Sequence, residues 1–511
     1  MFNRLKSGKK LDITLISLLT ITIILTRFPF TSKFLYDWDS VNYALGFGKY
    51  IIQMDQPHAP GYIFFIGLGK LVNIFFNDPN TTMIFISIIF SIFTVILLYL
   101  LAKQMFSRKV AIVSSLLLIF SQTFWFYGEI ASIYICEAFF ATLIAYLSYQ
   151  VFKGNEKYFY LSSLALGLAG GFRTDLIVFM FPLWAFCLFY DKFNYKRVIK
   201  AFSVLILSNL MWFIPTIILA GGYHEYSLLN NMQLISSFKT SSVFFGAPLT
   251  AHLIMNAELI FWTIIGIGLV QILVMLLYLS INIKSITKYF KNSKFIFFAL
   301  WIIPSFLFYL IIYIAKAGYT LVYIPAITLI ISYIYVELFS DLKKHQGKIS
   351  RYLLIILVLV SITVSTYGFT GNTFGFSKVS NYNIKSSDSQ TVNYFDAIKA
   401  INYNFSAENT SILMIDSTMF RKSMYYFPND YIYIANDEHY TLAKNHSITR
   451  FDQSKPVPIS NNMETLVLIT DRYFNTETKK MEFNNVTNYY FNIQNQSTDF
   501  EINGIKFKKN Y

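Results

Sequence analysis

The sequence predicts an all-α polytopic membrane protein of about 11 transmembrane helices, followed by a C-terminal extracytoplasmic α/β domain. Three observations lead there. Of 511 residues, 55% are hydrophobic and only 14% charged, against roughly 25% charged in a soluble domain, which excludes an ordinary soluble enzyme. Apolar runs long enough for a bilayer core of ~30 Å, about 20 helical residues each, recur between Leu11 and Gly368. After residue 370 the chain turns rich in Asn, Tyr, Ser and Thr, and such runs cease.

Spans are expected over approximately 11–28, 82–101, 110–127, 131–151, 157–171, 175–190, 200–220, 253–282, 295–315, 319–338 and 351–369. The first follows Arg4, Lys6, Lys9 and Lys10 as a signal peptide would, but lacks a small-residue cleavage pattern, and it reads as a retained span. With the N-terminus in the cytoplasm, the inner segments carry 21 Lys+Arg and the outer ones, to residue 369, carry seven. This bias fits the positive-inside rule and a multi-pass protein of the plasma membrane.

The segment Ile63–Phe76 decides the register. Its 14 residues make only about 21 Å of helix, and Lys70, Asn73 and Asn77 form one polar stripe along it. An interfacial helix is expected over 61–76, within an external loop 29–81. The membrane domain then covers 1–369, and an odd number of spans puts 370–511 outside. There, Ser411–Asp416, Tyr431–Ala435, Thr465–Thr470, Tyr489–Ile493 and Ile502–Phe507 read as strands, and Thr391–Tyr403 as a helix.

Charge and cysteine narrow the partners. The net charge of +14 lies wholly before residue 370, since residues 370–511 hold 14 basic and 14 acidic side chains. Short basic loops account for it, and nucleic acid is not indicated. Cys136 and Cys187 both fall in apolar runs, which leaves no disulfide framework and no cysteine metal site.

The chemistry gathers in the first external loop, which holds Tyr36-Asp37-Trp38-Asp39-Ser40-Val41-Asn42-Tyr43 and then Gln56-Pro57-His58-Ala59-Pro60-Gly61-Tyr62. Two carboxylates and an imidazole at a membrane surface can supply a general base and a partner for an anionic headgroup. They can equally be solvated or helix-capping groups.

On these residues the chain resembles the integral-membrane glycosyltransferases of the GT-C type, in particular the protein O-mannosyltransferase-like branch. Those enzymes take a sugar from a polyprenyl or dolichyl phosphate. Their first external loop carries an Asp soon after the first span and a His-Pro-Pro-Gly-Tyr segment opening a surface helix, which Asp39 and His58-Ala59-Pro60-Gly61-Tyr62 match. Phe124-Trp125-Phe126-Tyr127-Gly128-Glu129 with Tyr134, and Gly170-Gly171-Phe172-Arg173-Thr174-Asp175, are similar to further segments of that branch. The resemblance covers roughly residues 11–200. Ser40 departs from it where many relatives carry a second acidic residue, and Ala59 where they carry the first Pro.

The resemblance implies a GT-C-like fold and transfer of a sugar from a lipid-phosphate-linked donor to a protein, lipid or glycan acceptor, as in protein glycosylation or cell-envelope assembly. An inverting transfer needs a carboxylate to take the acceptor's proton, and Asp39 is the candidate base. Asp37 is either its neighbour or, with it, an Asp-x-Asp pair suited to Mg²⁺ or Mn²⁺. His58 and Arg173 are expected at the donor phosphate, although Arg173 beside Asp175 can also lock an ion pair. Glu129, Tyr62, Trp38 and Tyr134 are expected at the substrate. Glu137, inside a span, is expected to be structural and paired, hydrated or neutral. The rival reading is a transporter or flippase of a lipid-linked sugar, disfavoured because ionisable residues cluster at the outer ends of the spans and internal repeats are not seen.

Overall fold

A computed structural model describes residues 2–190, 194–281, 293–312, 316–346, 349–371, 378–414, 416–435, 439–452, 456–470, 479–483, 486–494, 499–502 and 505–509. The chain divides into two compact units. One comprises Met1–Thr31 and Ala59–Ile384, the other Ser32–His58 and Lys385–Tyr511. Most of the first external loop therefore belongs with the C-terminal region, where the sequence boundary at residue 370 had kept it with the membrane part.

The first unit is helical: α1 (Phe2–Arg27), α3 (Ile63–Phe76), α4 (Pro79–Met105), α5 (Arg108–Ile119), α6 (Gln122–Tyr127), α7 (Tyr134–Phe152), α8 (Tyr158–Phe172), α9 (Asp175–Phe189), α10 (Tyr195–Leu219), α11 (Tyr223–Ser241), α12 (Leu249–Ile267), α13 (Leu269–Ile281), α14 (Ser293–Ile311), α15 (Ile324–Gln346) and α16 (Ile349–Thr370). The helix α2 (Trp38–Gly48) lies in the other unit, and α17 (Asn381–Asn404) contains the division point. Among the described residues seven helices are long and apolar enough to cross a membrane, and five shorter apolar helices, Ile63–Phe76 among them, accompany them. The protein is an integral membrane protein.

Two expected spans are broken. Residues 110–127 form α5 and the short α6, because Ser121 turns its hydroxyl to Gly266 O at 2.6 Å and caps the second helix through Phe124 N. The expected span 253–282 is interrupted: its described residues belong to α12 and α13, parted at Gly268, whose φ of +105° is left-handed. The helix α11 was not expected, since its polar and apolar residues alternate without a long run. Elsewhere small residues let helices touch: at Gly167 an added Cβ would fall 1.8 Å from Ser208 Oγ of α10, and Trp212 Nε1 donates to Gly167 O at 3.0 Å.

The second unit is a mixed α/β domain. Its larger sheet has seven strands in the order β4 (Ser447–Asp452), β3 (His439–Lys444), β2 (Tyr431–Ala435), β1 (Thr410–Met414), β6 (Thr465–Thr470), β8 (Val486–Asn492), β7 (Lys479–Phe483). The strand β1 is parallel to both neighbours, and α18 (Ser417–Tyr426) makes the crossover to β2. Every residue of β1 is buried, as a central strand covered on both faces requires. A three-stranded sheet of β5 (Val457–Ile459), β10 (Ile505–Lys509) and β9 (Asp499–Ile502) completes it, sharing a core that includes Leu413, Tyr433, Ile459, Leu466, Tyr489 and Phe507.

Candidate active site

Asp37, Trp38, Asp39, Asn42 and His58 all lie within the second unit. Asp37 is the N-cap of α2: its Oδ1 accepts from Ser40 N at 2.9 Å and Ser40 Oγ at 2.7 Å, while Ser40 Oγ accepts from Asp37 N at 3.2 Å. This reciprocal box starts the helix and commits that oxygen of Asp37 to the backbone. Ser40, the departure from the relatives' acidic residue, is the other half of the box. Asp39 lies in the first turn, half-buried, at the end of α2 that favours negative charge.

Trp38 is not an open stacking platform on both faces, because the Arg421 guanidinium lies 5.0 Å from its ring centre and Phe420 packs at 6.5 Å. His58 is half-buried, 5.9 Å from the buried Tyr43 ring, with Nδ1 3.2 Å from Asn42 Nδ2. Asn42 in turn accepts at Oδ1 from Arg421 Nε at 2.8 Å, and Arg421 Nη2 donates to Asp55 O at 3.1 Å and Met54 O at 3.4 Å. Arg421 is fully buried. Sequence reasoning missed it and gave Asn42 no role; the one signal was a charged Arg421-Lys422 pair between apolar residues, which points to a buried cation only once the helix is known.

In the first unit Arg173, Tyr62 and Tyr134 come together. Arg173 ends α8 with extended backbone, and its side chain meets two carboxylates. Nε is 3.0 Å from Glu137 Oε1 and 3.3 Å from Asp175 Oδ1, and Nη2 donates to Asp175 Oδ2 at 2.7 Å. The rings of Tyr62, Tyr134 and Tyr319 surround the guanidinium at 6.0, 5.4 and 5.3 Å. Tyr309 donates to Asp175 Oδ2 at 3.4 Å. Tyr62 sits at the head of α3 with φ +45°, and Gly318 approaches Tyr134 so closely that a Cβ there would lie 2.3 Å from its ring. Of the two readings of Arg173, the ion pair is the one built here, and Glu137 is paired.

Glu129 is enclosed. It is fully buried and accepts from Trp125 Nε1, beside the buried Arg27, whose guanidinium lies 5.2 Å from the Trp125 ring and donates to Ile119 O at 2.6 Å. Glu129 is enclosed by the helix packing, with the buried Arg27 as its charged neighbour. Among the described residues there is no group of three or more His, Cys, Asp or Glu side chains placed to hold a metal ion.

Comparison with known proteins follows the same line. Residues 57–218 match the family described as dolichyl-phosphate-mannose-protein mannosyltransferase. No curated protein sequence matches the chain significantly. The fold is similar to that of ArnT from Cupriavidus metallidurans in the apo state, at TM-score 0.54 and 9% identity over 95% of this chain and 98% of that one. The same protein bound to undecaprenyl phosphate aligns at TM-score 0.52 and 11% identity, over 83% and 86% of the two chains. The Archaeoglobus fulgidus oligosaccharyltransferase tethered to an acceptor peptide aligns at TM-score 0.50 and 13% identity over 83% of this chain, which spans 64% of that longer one. The chain shares the fold of these proteins, which fits the GT-C class that its sequence resembles. The sequence resemblance pointed to this class, and the family match and the shared fold agree with it.

Proposed function

We propose that this protein transfers a sugar from a polyprenyl-phosphate donor to a protein, lipid or glycan acceptor on the extracytoplasmic face of the membrane, with its N-terminus in the cytoplasm and residues 370–511 outside. The family match over residues 57–218 carries this reading, since it spans His58, Tyr62, Tyr134 and Arg173. Asp39 takes the proton of the acceptor hydroxyl as its oxygen attacks the anomeric carbon, the bond from that carbon to the phosphate oxygen breaks with inversion, and the lipid phosphate leaves with the electron pair. His58 donates to the leaving phosphate. Asp37 fixes the first turn that presents Asp39, which favours a positioning role over metal ligation. Arg173, already held by two carboxylates, orders Tyr62 and Tyr134 in place of meeting the phosphate with an uncommitted charge. The transporter reading is not favoured by a fold shared with transferases.

The test is transfer from a panel of labelled polyprenyl-phosphate sugars in proteoliposomes, following release of the free lipid phosphate from wild type and Asp39→Asn. Release by wild type and its loss in a folded Asp39→Asn variant supports both the activity and the base. Movement of labelled lipid between leaflets without release overturns the enzyme reading.

A further inference from the structure

Arg421 lies 379 residues from Asn42 in the chain and donates to its Oδ1 at 2.8 Å. An arginine has N–H donors only, so the amide atom facing it must be the oxygen. That leaves Asn42 Nδ2, a donor, facing His58 Nδ1 at 3.2 Å. A ring nitrogen that receives a hydrogen bond carries no proton. In the neutral imidazole the proton is then on Nε2.

The arrangement is held on every side. Arg421 is fully buried, with its Nη2 on the carbonyls of Met54, the last residue of a short 3-10 helix, and Asp55, its left-handed cap, in the turn leading to His58, and its guanidinium against Trp38. Asn42 is buried on α2, the helix that begins at Asp37. The same guanidinium therefore touches both arms of the loop, the arm with Asp39 and the arm with His58.

We infer that Arg421 is a positioning residue that sets the tautomer of His58: through Asn42 it fixes Nδ1 as an acceptor and Nε2–H as the donor presented to the anionic leaving group. The kinetic half of this rests on the sugar-transfer reading above; the tautomer does not. An imidazole with the proton on Nδ1 would turn a lone pair of Nε2 toward a phosphate oxygen, which repels it.

Asn42→Asp tests this with little change of shape. The new carboxylate still accepts from Arg421, so the loop keeps its anchor, but it accepts from the imidazole as well and draws the proton to Nδ1. The tautomer is read by nitrogen NMR of imidazole-labelled full-length protein in lipid bilayers, His58 being assigned by its loss in His58→Gln. Wild type is expected to show an unprotonated Nδ1 and Asn42→Asp a protonated one; a protonated Nδ1 in wild type overturns the inference, whether or not any donor sugar is turned over. With a donor that wild type uses, Asn42→Asp is expected to raise the donor KM roughly tenfold or more, the worth of a hydrogen bond to a charged group, at an unchanged melting temperature. An unchanged donor KM with a reversed tautomer overturns the assignment of Nε2–H to the phosphate. Arg421→Lys keeps a donor and is expected to lie nearer wild type in donor KM than Arg421→Met, which does not; equal losses in the two, with both folded, also overturn it.

Discussion

Arg173→Met separates the two roles that an arginine near a lipid phosphate can have. Removing the guanidinium leaves Glu137, fully buried, and Asp175, about a quarter exposed, facing each other without a cation. Breaking a buried pair by deleting one partner costs about 3–5 kcal/mol. The three tyrosine rings lose about 0.5–1 kcal/mol each as cation–π partners, and since these terms overlap, a loss of about 4 kcal/mol is expected. The double variant Arg173→Met/Glu137→Met removes the buried carboxylate too and is expected to recover at least ~2 kcal/mol, because apolar replacement of a whole buried pair is close to neutral. Unfolding titrations in mixed micelles give the free energies, and sugar transfer is measured on the same preparations. If Arg173 orders the tyrosines through its ion pair, the double variant regains activity along with stability. Arg173→Met within 1 kcal/mol of wild type would refute the buried-pair energetics, and a stable double variant with no transfer would return Arg173 to the phosphate.

Three further outcomes are expected. Gly318→Ala places a Cβ 2.3 Å from the Tyr134 ring, so it should cost about 1–3 kcal/mol by overpacking and displace that ring from Arg173, read as an altered tyrosine fluorescence together with a lowered melting temperature. Burial pushes the Lys422 ammonium down from 10.5 to about 8, against the opposing charges of Asp37, Asp388 and Asp416. Between pH 8 and 10.5 the unfolded chain therefore binds more protons, stability rises with pH, and the penalty of roughly 3 kcal/mol below that window is absent in Lys422→Met; the difference between the two melting temperatures should shrink from pH 7 to pH 10. Asp37→Ala removes both hydrogen bonds of the N-cap and should cost about 1 kcal/mol, whereas Asp37→Asn keeps most of it, measured by thermal unfolding.

What the sequence reveals depends on whether a signal is local. Strands β1, β2 and β6 are short runs such as Ser411–Met414 and Leu466–Ile469, largely apolar because these inner strands are buried, and a window of six residues suffices to see them. Strand β4, Ser447–Asp452, is at the sheet's edge and β3, His439–Lys444, is next to it, away from the buried centre, where Lys, Thr and Arg are tolerated and the apolar run is diluted. Asp416, read as the end of a strand, caps α18 through Met419 N at 2.8 Å, and the helix behind it mixes Arg421 and Lys422 with Met and Phe, a pattern that makes sense only when both cations find buried partners. Lys422 finds Ser387 and Thr391 hydroxyls on α17 at 3.2 and 3.0 Å. The loop motifs are local too, so Asp39 and His58 stand out as candidates. Their supports are not: the partners of His58 run through Asn42, sixteen residues away, to Arg421; likewise Arg173 has one partner within sight of the sequence, Asp175, and a second, Glu137, on another helix.

These long-range supports change what the C-terminal region is for. The sequence reading puts residues 370–511 outside as a separate domain, which would leave the loop's geometry to the membrane helices. Within the second unit, however, the loop is fastened along its length to residues beyond 385. Asp388 accepts from Ser32 Oγ and Lys33 N, both at 2.9 Å, Phe34 packs edge-on to Phe395 and Tyr426, Gln56 Nε2 donates to His446 O at 2.6 Å, and Arg421 holds the carbonyls before His58. A loop of this length does not meet the entropy cost of ordering by its own contacts alone, and its buried apolar residues, Leu35, Val41, Leu45 and Ile52 among them, need a surface to pack on, so the order of Asp39 and His58 derives from these contacts. A C-terminal domain that only selected acceptors would affect one substrate and spare another; one that builds the loop's shape affects the chemical step for all of them.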